Sequence, residues 1–367
     1  MTSPSDPARS GGPRRAALVG LGLIGGSIGL ALRSRGWHVT GRDRDPAAVD
    51  AAVAAGVVDA AGEDASAEVT FVATPVGEVA GEVARVLGQA GLAADAAVTD
   101  VGGVKAPVVA AVGDPRFVGG HPMAGSEQVG LGGADPGLFV GATWVLTPTA
   151  ATDPSAYALV RTVAASLGAE VLSLSPEHHD ALVALVSHVP HLAAATLMNL
   201  ADRRAEEHAA LLRLAAGGFR DMTRVAAGSP GIWPDVCVEN APAIVAGLDA
   251  LVSELGRVRD QVAAHDRHGL LATLRRAADA RRALPAGAVR PERLVELRVP
   301  VPDRPGVLAE ITTTAGDLGV NISDLEIAHS AEATGGVLVV VVDAEAAERF
   351  AAALTARGYR PGARPLA

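Results

Sequence analysis

Short apolar runs alternate with stretches of helical periodicity along the first half of the chain. Strands that alternate with helices in this way indicate a parallel, doubly wound sheet of the α/β class. The predicted strands are AALVG (16–20), HVTGRD (38–43), EVTFVAT (68–74), AAVTD (96–100), RFVGG (116–120), TWVLT (143–147) and EVLSL (170–174).

From Ser175 to about Ala283 the strand pattern is lost, and long stretches carry the apolar spacing of helices. Ser175 followed by Pro176 is typical of a helix N-cap and first turn. Residues 175–284 are therefore predicted to form an all-α helical domain, and the family resemblance described below implies that this domain serves substrate binding and dimerisation.

A Pro- and Gly-bearing linker at 285–292 precedes a third unit, residues 293–367. Its patterns run strand, helix, strand, strand, helix and a short tail, which predicts a small α+β domain. Residues 1–15 are polar and rich in Pro, Ser and Gly, and they predict a disordered lead-in. Residues 16–174 remain for the sheet domain.

Composition excludes several kinds of function for this chain of 367 residues. With 31 Lys and Arg against 41 Asp and Glu, the net charge of −10 disfavours nucleic-acid binding. The uncharged segment 16–32 is too short and too rich in glycine for a membrane helix. The single cysteine, Cys237, permits no internal disulfide, which fits a reducing cytoplasm.

The sequence GLGLIGG after the first strand carries a dinucleotide fingerprint, with Gly20, Gly22 and Gly25 in the spacing G-x-G-x-x-G. The helix that begins near Leu23 and Ile24 would present free N–H groups to a pyrophosphate. The alternative is a glycine cluster that serves packing alone.

Asp43 ends the next strand, where the ribose hydroxyls of NAD would lie. Arg42 and Arg44 could instead meet the 2′-phosphate of NADP. NAD is therefore favoured, but NADP is not excluded. Thr74 and Pro75 follow another strand at the edge that faces the cofactor in this architecture.

A histidine, His121, stands where the strand RFVGG ends. Its ordinary pKa near 6.5 suits proton abstraction beside a nicotinamide, and Ser126 and Glu127 follow it closely. Position and neighbours favour a catalytic histidine over a structural one.

In the helical region, Ser187 and His191 are four residues apart and would share one helix face, which Pro190 perturbs. The run His178, His179, Asp180 resembles a set of metal ligands. A plain helix N-terminal turn is favoured over a metal site, because adjacent histidines point in different directions.

Arg224 lies in an apolar, helix-like stretch, where its guanidinium could clamp a carboxylate. The alternative is an ion pair with Asp221 or Glu239. Trp233 either walls a binding site or fills a core.

Taken together, the motifs GLGLIGGS, TDVGGVK, HPMAGSE, SHVPH and GGFRDMTR…SPGIW resemble the prephenate/arogenate dehydrogenase family of tyrosine biosynthesis. The resemblance covers roughly residues 16–260 and implies a homodimer. Residues 301–327 resemble an ACT regulatory domain, which binds small effectors.

The resemblance implies NAD-dependent oxidative decarboxylation of prephenate to 4-hydroxyphenylpyruvate. By analogy, His121 accepts the C4 hydroxyl proton, and Ser126 and Glu127 organise the site around it. Arg224 holds the ring carboxylate, His191 contacts the substrate with Ser187 beside it, and Trp233 enters the pocket. The resemblance leaves arogenate, which would give tyrosine directly, as an alternative substrate.

The chain departs from the family at Gly103. The family usually carries serine there, hydrogen-bonded to the catalytic histidine and the substrate hydroxyl. Loss of one neutral hydrogen bond costs about 0.5–1.5 kcal/mol, or up to about tenfold in rate.

In the ACT-like unit, Asp303, Gly306 and Asn321 lie where an effector carboxylate would bind, and tyrosine feedback is the hypothesis. A purely structural role for this unit is the alternative. For the whole chain, two alternatives remain: a 3-hydroxyacid dehydrogenase and a non-catalytic NAD and amino-acid sensor. The former is disfavoured because no lysine follows Lys105.

Overall fold

The computed structural model describes the chain in two compact units, residues 1–270 and 271–367. Within them, the described residues are 13–125, 128, 130–205, 214–283, 294–302, 304–329 and 335–365. The predicted linker 285–292 and most of the predicted lead-in 1–15 lie outside these ranges. The first strand begins at Arg15, one residue before the predicted boundary.

An eight-stranded sheet organises the first unit, in the order β3-β2-β1-β4-β5-β6-β7-β8. Its strands are β1 (Arg15–Val19), β2 (His38–Arg42), β3 (Ala60–Ala61), β4 (Val69–Val72), β5 (Ala97–Asp100), β6 (Phe117–Pro122), β7 (Thr143–Thr147) and β8 (Glu170–Ser173). The order reverses between β1 and β4, which is the switch point where doubly wound sheets bind ligands.

Five helices cover the faces of this sheet. They are α1 (Leu23–Arg33), α2 (Pro46–Ala54), α3 (Val76–Leu87), α4 (Ala106–Val112) and α5 (Pro154–Ser166). Two begin as expected from their sequence, because Asp45 and Asp153 cap helices whose first residue is proline. Apolar clusters line both faces of the sheet, with Phe71 and Trp144 in the larger and Val72 and Val98 in the smaller.

Two strands, β7 and β8, depart from the all-parallel sheet that the alternation predicts. Strand β7 pairs antiparallel with β6, placing His121 opposite Val145, and β8 then continues parallel to β7. The segment 123–142 between β6 and β7 has no α-helix among its described residues, only a 3-10 turn at Leu131–Gly133. Without a helical crossover, the chain turns back beside β6 instead of running parallel to it.

After β8 the described chain is helical up to residue 283. The helices are α6 (Pro176–Val183), α7 (Val189–Ala205), α8 (Gly217–Thr223), α9 (Trp233–Glu239), α10 (Ala241–Ala263) and α11 (Arg267–Arg282). A π-helical turn, Ala184–His188, joins α6 to α7, and 3-10 turns span Arg224–Ala227 and Pro230–Ile232. The predicted boundary between residues 174 and 175 falls between β8 and α6 and stays a prediction.

The run Pro176–Arg204 is long and apolar enough to cross a membrane, with a mean hydropathy of 1.6. Core helices of soluble proteins pass the same test. Here the run contains the buried Asp180, whose carboxylate accepts hydrogen bonds from the backbone of Lys105 and Ala106. These bonds hold the start of the run against the sheet domain, and 28% of the apolar window is buried inside the protein.

The second unit contains a four-stranded antiparallel sheet in the order β10-β11-β9-β12. Its elements are β9 (Leu294–Pro302), α12 (Val307–Asp317), β10 (Ile322–His329), β11 (Gly335–Asp343), α13 (Ala344–Ala356) and β12 (Gly362–Pro365). The predicted tail is therefore a strand, pairing with β9. The core contains Leu297, Val340, Ile311 and Phe350.

Candidate active site

The glycine-rich loop after β1 has the geometry of a phosphate cradle. Gly20 has a φ of +94°, and a Cβ there would lie 2.4 Å from the carbonyl oxygen of Ala73. A Cβ at Gly25 would lie 2.0 Å from the carbonyl oxygen of Gly20. Both positions therefore require glycine. At Gly22, no atom stands within 4 Å of where a Cβ would be, so space is open before α1.

Helix α1 begins at Leu23, and Ile24 is its second residue. The N–H groups of a first helical turn have no partner within the helix, and the helix dipole favours an anion at this end. Asp43 shapes the loop, because its carboxylate accepts the N–H of Leu21 at 2.8 Å and that of Asp45 at 3.0 Å.

The two arginines beside Asp43 are occupied by carboxylates. Arg42 forms ion pairs with Glu63 and Glu82, and Arg44 pairs with Glu78 at 2.8 Å. A 2′-phosphate placed here would compete with these three carboxylates for the guanidinium groups. The charges around Asp43 therefore favour a ribose with free hydroxyls.

Thr74 and Pro75 follow β4 across the switch point from this loop. The Thr74 hydroxyl is buried, and the part of the chain that the structure describes offers it no hydrogen-bond partner. Its backbone nitrogen lies 3.2 Å from the Cβ position of Gly20. A buried hydroxyl without a partner beside an open glycine loop fits a bound dinucleotide, as does the cradle itself.

His121 lies near the end of β6, at the same edge of the sheet, and is half-buried. Its Nδ1 is 2.9 Å from Nε2 of His179 on α6. Nδ1 of His179 is in turn 2.8 Å from Oδ1 of Asp180. The three side chains form a line from a buried carboxylate to a ring at the edge of the sheet.

The carboxylate of Asp180 is held by two backbone donors at the start of α4. The N–H groups of Lys105 and Ala106 donate to Oδ1 and Oδ2, each at 2.8 Å. The Lys105 side chain, the only lysine of the chain, is fully buried. It pairs with Asp100 and donates to the carbonyl of Gly120 at 2.9 Å, one residue before His121.

Burial lowers the pKa of His121 well below 6.5, and nearby positive charge lowers it further. The groups responsible after burial are His179, Lys105 and His188. The ring is therefore neutral at neutral pH and able to accept a proton.

Gly103 lies directly beside the reactive edge of this ring. A Cβ at residue 103 would be 3.7 Å from both Cε1 and Nε2 of His121. The position where the family usually carries serine thus faces Nε2, and the glycine leaves room there for a hydroxyl or a water.

The π-turn before α7 places a second histidine in the core. Pro190 has no N–H to donate, which disfavours a regular helix through Ala184–His188. His188 is 4% exposed, and its Nδ1 is 3.2 Å from Nδ2 of Asn240. Asn240 also donates to the backbone carbonyl of Asp180, so the helical region is bonded to the His121 line. Ser187, one residue earlier, is half-buried.

Trp233 stacks on His191, with ring centroids 3.6 Å apart and planes at 12°. It also meets His188 edge to face at 6.1 Å. The segment 224–233 is close by, since a Cβ at Gly228 would lie 3.9 Å from the His191 ring. Arg224 begins the 3-10 turn packed on α7, and its side chain is exposed. The structure thus joins the SHVPH and SPGIW motifs into one cluster.

Three predicted site residues, Ser126, Glu127 and Asp303, lie outside the described residues. In the second unit, Gly306 has a φ of +90° and caps α12, with open space where a Cβ would stand. Asn321 is exposed just before β10.

The sequence analysis missed the polar network behind His121. It considered His179 and Asp180 only as weak metal candidates, and it assigned nothing to His188, Asn240 or the Lys105 side chain. Across the described ranges, no group of three or more His, Cys, Asp or Glu could hold a metal ion. One sequence signal could have revealed the network. His179, Asp180, His188 and Asn240 are polar residues within otherwise apolar helical stretches, where a buried side chain needs a hydrogen-bond partner.

Family models match three successive parts of the chain. Residues 28–173 match the prephenate dehydrogenase nucleotide-binding domain, 175–276 the prephenate dehydrogenase dimerization domain, and 295–358 the ACT domain. A prephenate dehydrogenase of Bacillus subtilis is 34% identical over 336 residues, covering 88% of this chain and 90% of that protein. The chain belongs to the prephenate dehydrogenase family. The family, the Rossmann-type α/β fold and the ACT domain expected from the motifs are thereby confirmed.

Two solved structures of family members resemble this chain closely. Prephenate dehydrogenase from Aquifex aeolicus, in complex with hydroxyphenyl propionate and NAD+, has a TM-score of 0.69 and 29% identity. The match covers 74% of this chain and 99% of that one. Synechocystis arogenate dehydrogenase has a TM-score of 0.64 and 32% identity, covering 73% and 98%.

Proposed function

We propose that the chain is an NAD-dependent prephenate dehydrogenase that converts prephenate to 4-hydroxyphenylpyruvate and CO2. The substrate loses a hydride from C4 and the proton of the C4 hydroxyl to His121, so C4 becomes a ketone. CO2 then leaves from C1, and the electrons of the broken C–C bond pass through the ring onto the C4 oxygen. That oxygen takes back one proton, which gives the aromatic phenol of 4-hydroxyphenylpyruvate. When bound, NAD+ supplies the acceptor for the hydride.

One observation carries this proposal: a neutral imidazole, His121, lies at the sheet edge that also carries the glycine cradle. Its Nε2 faces the open space beside Gly103. Because burial and neighbouring positive charge keep the ring unprotonated, it can take the hydroxyl proton at Nε2.

The helical region supplies the substrate-binding residues of the proposal. Arg224 holds the ring carboxylate by paired hydrogen bonds, and His191 contacts the substrate with Ser187 beside it. Trp233 forms a wall, supported by its stacking on His191. Ser126 and Glu127 organise the site around His121.

NAD is preferred to NADP in this proposal. The ion pairs of Arg42 and Arg44 with three glutamates support it, because those arginines are already neutralised. Asp43 is placed to accept hydrogen bonds from ribose hydroxyls while it holds the N–H of Leu21.

The decisive assay compares prephenate and arogenate with NAD+ and NADP+ under steady-state conditions. We expect the highest kcat/KM with prephenate and NAD+. The similarity to an arogenate dehydrogenase makes arogenate the second candidate substrate, and a higher kcat/KM for it would replace the first. Absence of cofactor reduction with either substrate would leave only a sensor role.

The role of His121 is tested by His121→Asn. This variant should bind NAD+ with unchanged affinity in a calorimetric titration. Its kcat should fall by roughly 10²–10⁴-fold, the contribution of a positioned general base. Retention of kcat across the pH range would contradict the role assigned to the imidazole.

We also propose that the chain acts as a homodimer through α10. Four apolar residues on this helix are 55–66% exposed. Successive members are seven, three and seven positions apart, which places them on one helix face. They are Val245, Val252, Leu255 and Val262. The match of 175–276 to a dimerization domain supports this surface as the contact.

For the ACT domain we propose feedback inhibition by tyrosine. The support is the open backbone at Gly306, whose helix N-terminus suits a carboxylate. The sequence pattern adds Asp303 and Asn321 as further candidates. Tyrosine should inhibit the full chain and should inhibit Asn321→Ala less. If neither protein responds to tyrosine, this unit has a structural role.

The single cysteine, Cys237, is half-buried, and we propose that the enzyme works in the reducing cytoplasm. Burial raises the pKa of its thiol, so little reactive thiolate forms at neutral pH. Recovery of the protein in the cytoplasmic fraction of fractionated cells would agree with this proposal, and recovery outside the cytoplasm would oppose it.

A further inference from the structure

Behind His121 stands a second histidine that connects it to a buried carboxylate. We propose that His179 and Asp180 are positioning residues that hold His121 in one tautomer, with the proton on Nδ1 and the lone pair on Nε2. The inference rests on the proposed function for its catalytic meaning, but the tautomer itself is a property of the free protein.

The proton positions follow from Asp180 outward. Both of its oxygens face backbone N–H groups, those of Lys105 and Ala106, which can only donate. Oδ1 is therefore an acceptor, and Nδ1 of His179, 2.8 Å away, must carry the hydrogen between them.

In the arrangement that we propose, His179 is a neutral imidazole whose one N–H is on Nδ1, so its Nε2 is left with a lone pair. That lone pair lies 2.9 Å from Nδ1 of His121, which must then be the donor. Nε2 of His121 is consequently unprotonated, and it is the atom that faces Gly103. These hydrogen bonds therefore hold the His121 ring so that its unprotonated Nε2 points toward the space beside Gly103, where the substrate would lie.

The positioning pair is itself rigidly held. His179 is fully buried and Asp180 is 4% exposed, and the Asp180 carbonyl accepts a bond from Asn240. These bonds leave His179 little freedom to rotate or to exchange the nitrogen that it presents to His121.

Two other groups near His121 lower the pKa of its ring and so favour the neutral form that the tautomer requires. Lys105, paired with Asp100, comes from the β5–α4 connection, and His188 comes from the π-turn. Lys105 and His188 oppose protonation of the ring. Neither bonds to its Nδ1 in the described structure, so the choice of tautomer falls to His179.

Three variants separate this role from simple packing. His179→Phe keeps a planar ring but removes the acceptor for Nδ1–H. His179→Gln keeps a side-chain carbonyl that can accept the same bond. His178→Phe, the same substitution on the neighbouring exposed histidine, is the matched control.

The tautomer is read without substrate by nitrogen NMR of the ¹⁵N-histidine-labelled protein, with His121→Asn to assign the signals. In the wild type we expect a pyridine-type shift for Nε2 of His121 and a pyrrole-type shift for Nδ1. In His179→Phe we expect the two to exchange or average, while His179→Gln and His178→Phe resemble the wild type.

Kinetics and folding are measured beside the spectra. His179→Phe should lower kcat by about two- to tenfold, the factor expected for a tautomer bias of one hydrogen bond. Affinity for NAD+ should stay unchanged, and His179→Gln should recover most of kcat. The pH at which kcat/KM falls should also move in His179→Phe, since the ring has lost a partner that His178→Phe retains.

The outcomes divide cleanly. A His179→Phe protein that is folded, binds NAD+ and keeps both the wild-type tautomer and kcat overturns the inference. A wild type with the opposite tautomer overturns it as well. If His179→Phe does not fold, the wild-type and His179→Gln spectra decide the question. A wild type that is inactive on prephenate but shows the Nδ1–H tautomer refutes the proposed substrate and supports the positioning role.

Discussion

Replacing Gly103 by serine tests the geometry of the proposed reaction at its centre. The residue faces Nε2 of His121, and a Cβ there would make only ordinary van der Waals contact, at 3.7 Å. Gly103 has no positive φ, so a side chain introduces no backbone strain. A serine hydroxyl, one bond farther out, can then reach the ring nitrogen or the substrate hydroxyl.

The expected gain follows from one added hydrogen bond. An O–H donor needs an acceptor at roughly 2.7–3.0 Å, which a rotamer directed from this Cβ toward Nε2 provides. A net hydrogen bond contributes about 0.5–1.5 kcal/mol. If it forms in the transition state, kcat/KM rises about two- to tenfold.

Steady-state kinetics with prephenate and NAD+ measure this effect, with Gly103→Ala as the control. Alanine adds the same Cβ without a hydroxyl, so it should give no gain. Equal rates for the serine and alanine variants would show that volume and not hydrogen bonding matters at this position. A loss in both variants would mean that the space beside Nε2 is needed by the substrate itself, and the reasoning would fail.

Four further predictions concern the protonation of His121, the buried ion pair and assembly. Because the pKa of His121 lies well below 6.5, kcat/KM should stay level as the pH falls through 6.5 and decline only at lower pH, as a pH–rate profile would show. The unfolded chain takes up a proton below about pH 6.5 that folded His121 does not, so this residue should lower the free energy of unfolding there, measured by denaturation against His121→Asn. Lys105→Met should reduce the free energy of unfolding by about 3–5 kcal/mol, because Asp100 is left as an unpaired buried charge, and adding Asp100→Asn should restore part of the loss. Leu255→Glu should convert the dimer to monomer in light-scattering measurements, whereas the same result for an exposed polar site such as Glu254→Gln would contradict the α10 interface.

The fold was largely predictable because its signals are local. Alternating apolar runs and helices mark a doubly wound sheet, and the glycines at 20 and 25 are required by close backbone contacts. The direction of β7 was not predictable in this way. It depends on whether a helix crosses between β6 and β7, and periodicity in the sequence does not reveal that the described residues of 123–142 form no α-helix.

The site was only half predictable, and the missing half is long-range. His121 could be found from its place at a strand end, because that place follows from the local pattern. His179 could not, because its partner is 58 positions away and its role depends on which ring nitrogen faces which atom. Adjacent histidines in a helix look alike in sequence, and only burial separates His179 from the exposed His178.

The same network explains why a buried lysine can persist so close to a catalytic base. Burial lowers the pKa of Lys105, whereas Asp100 beside it acts in the opposite direction. Lys105 is among the groups that lower the pKa of His121 and so favour the neutral imidazole, while the Lys105 backbone N–H keeps Asp180 an acceptor. One residue thus supports both properties that the base needs, its neutral state and its orientation. The motif TDVGGVK therefore supports His121 from behind through Lys105, and its Gly103 lies beside the ring.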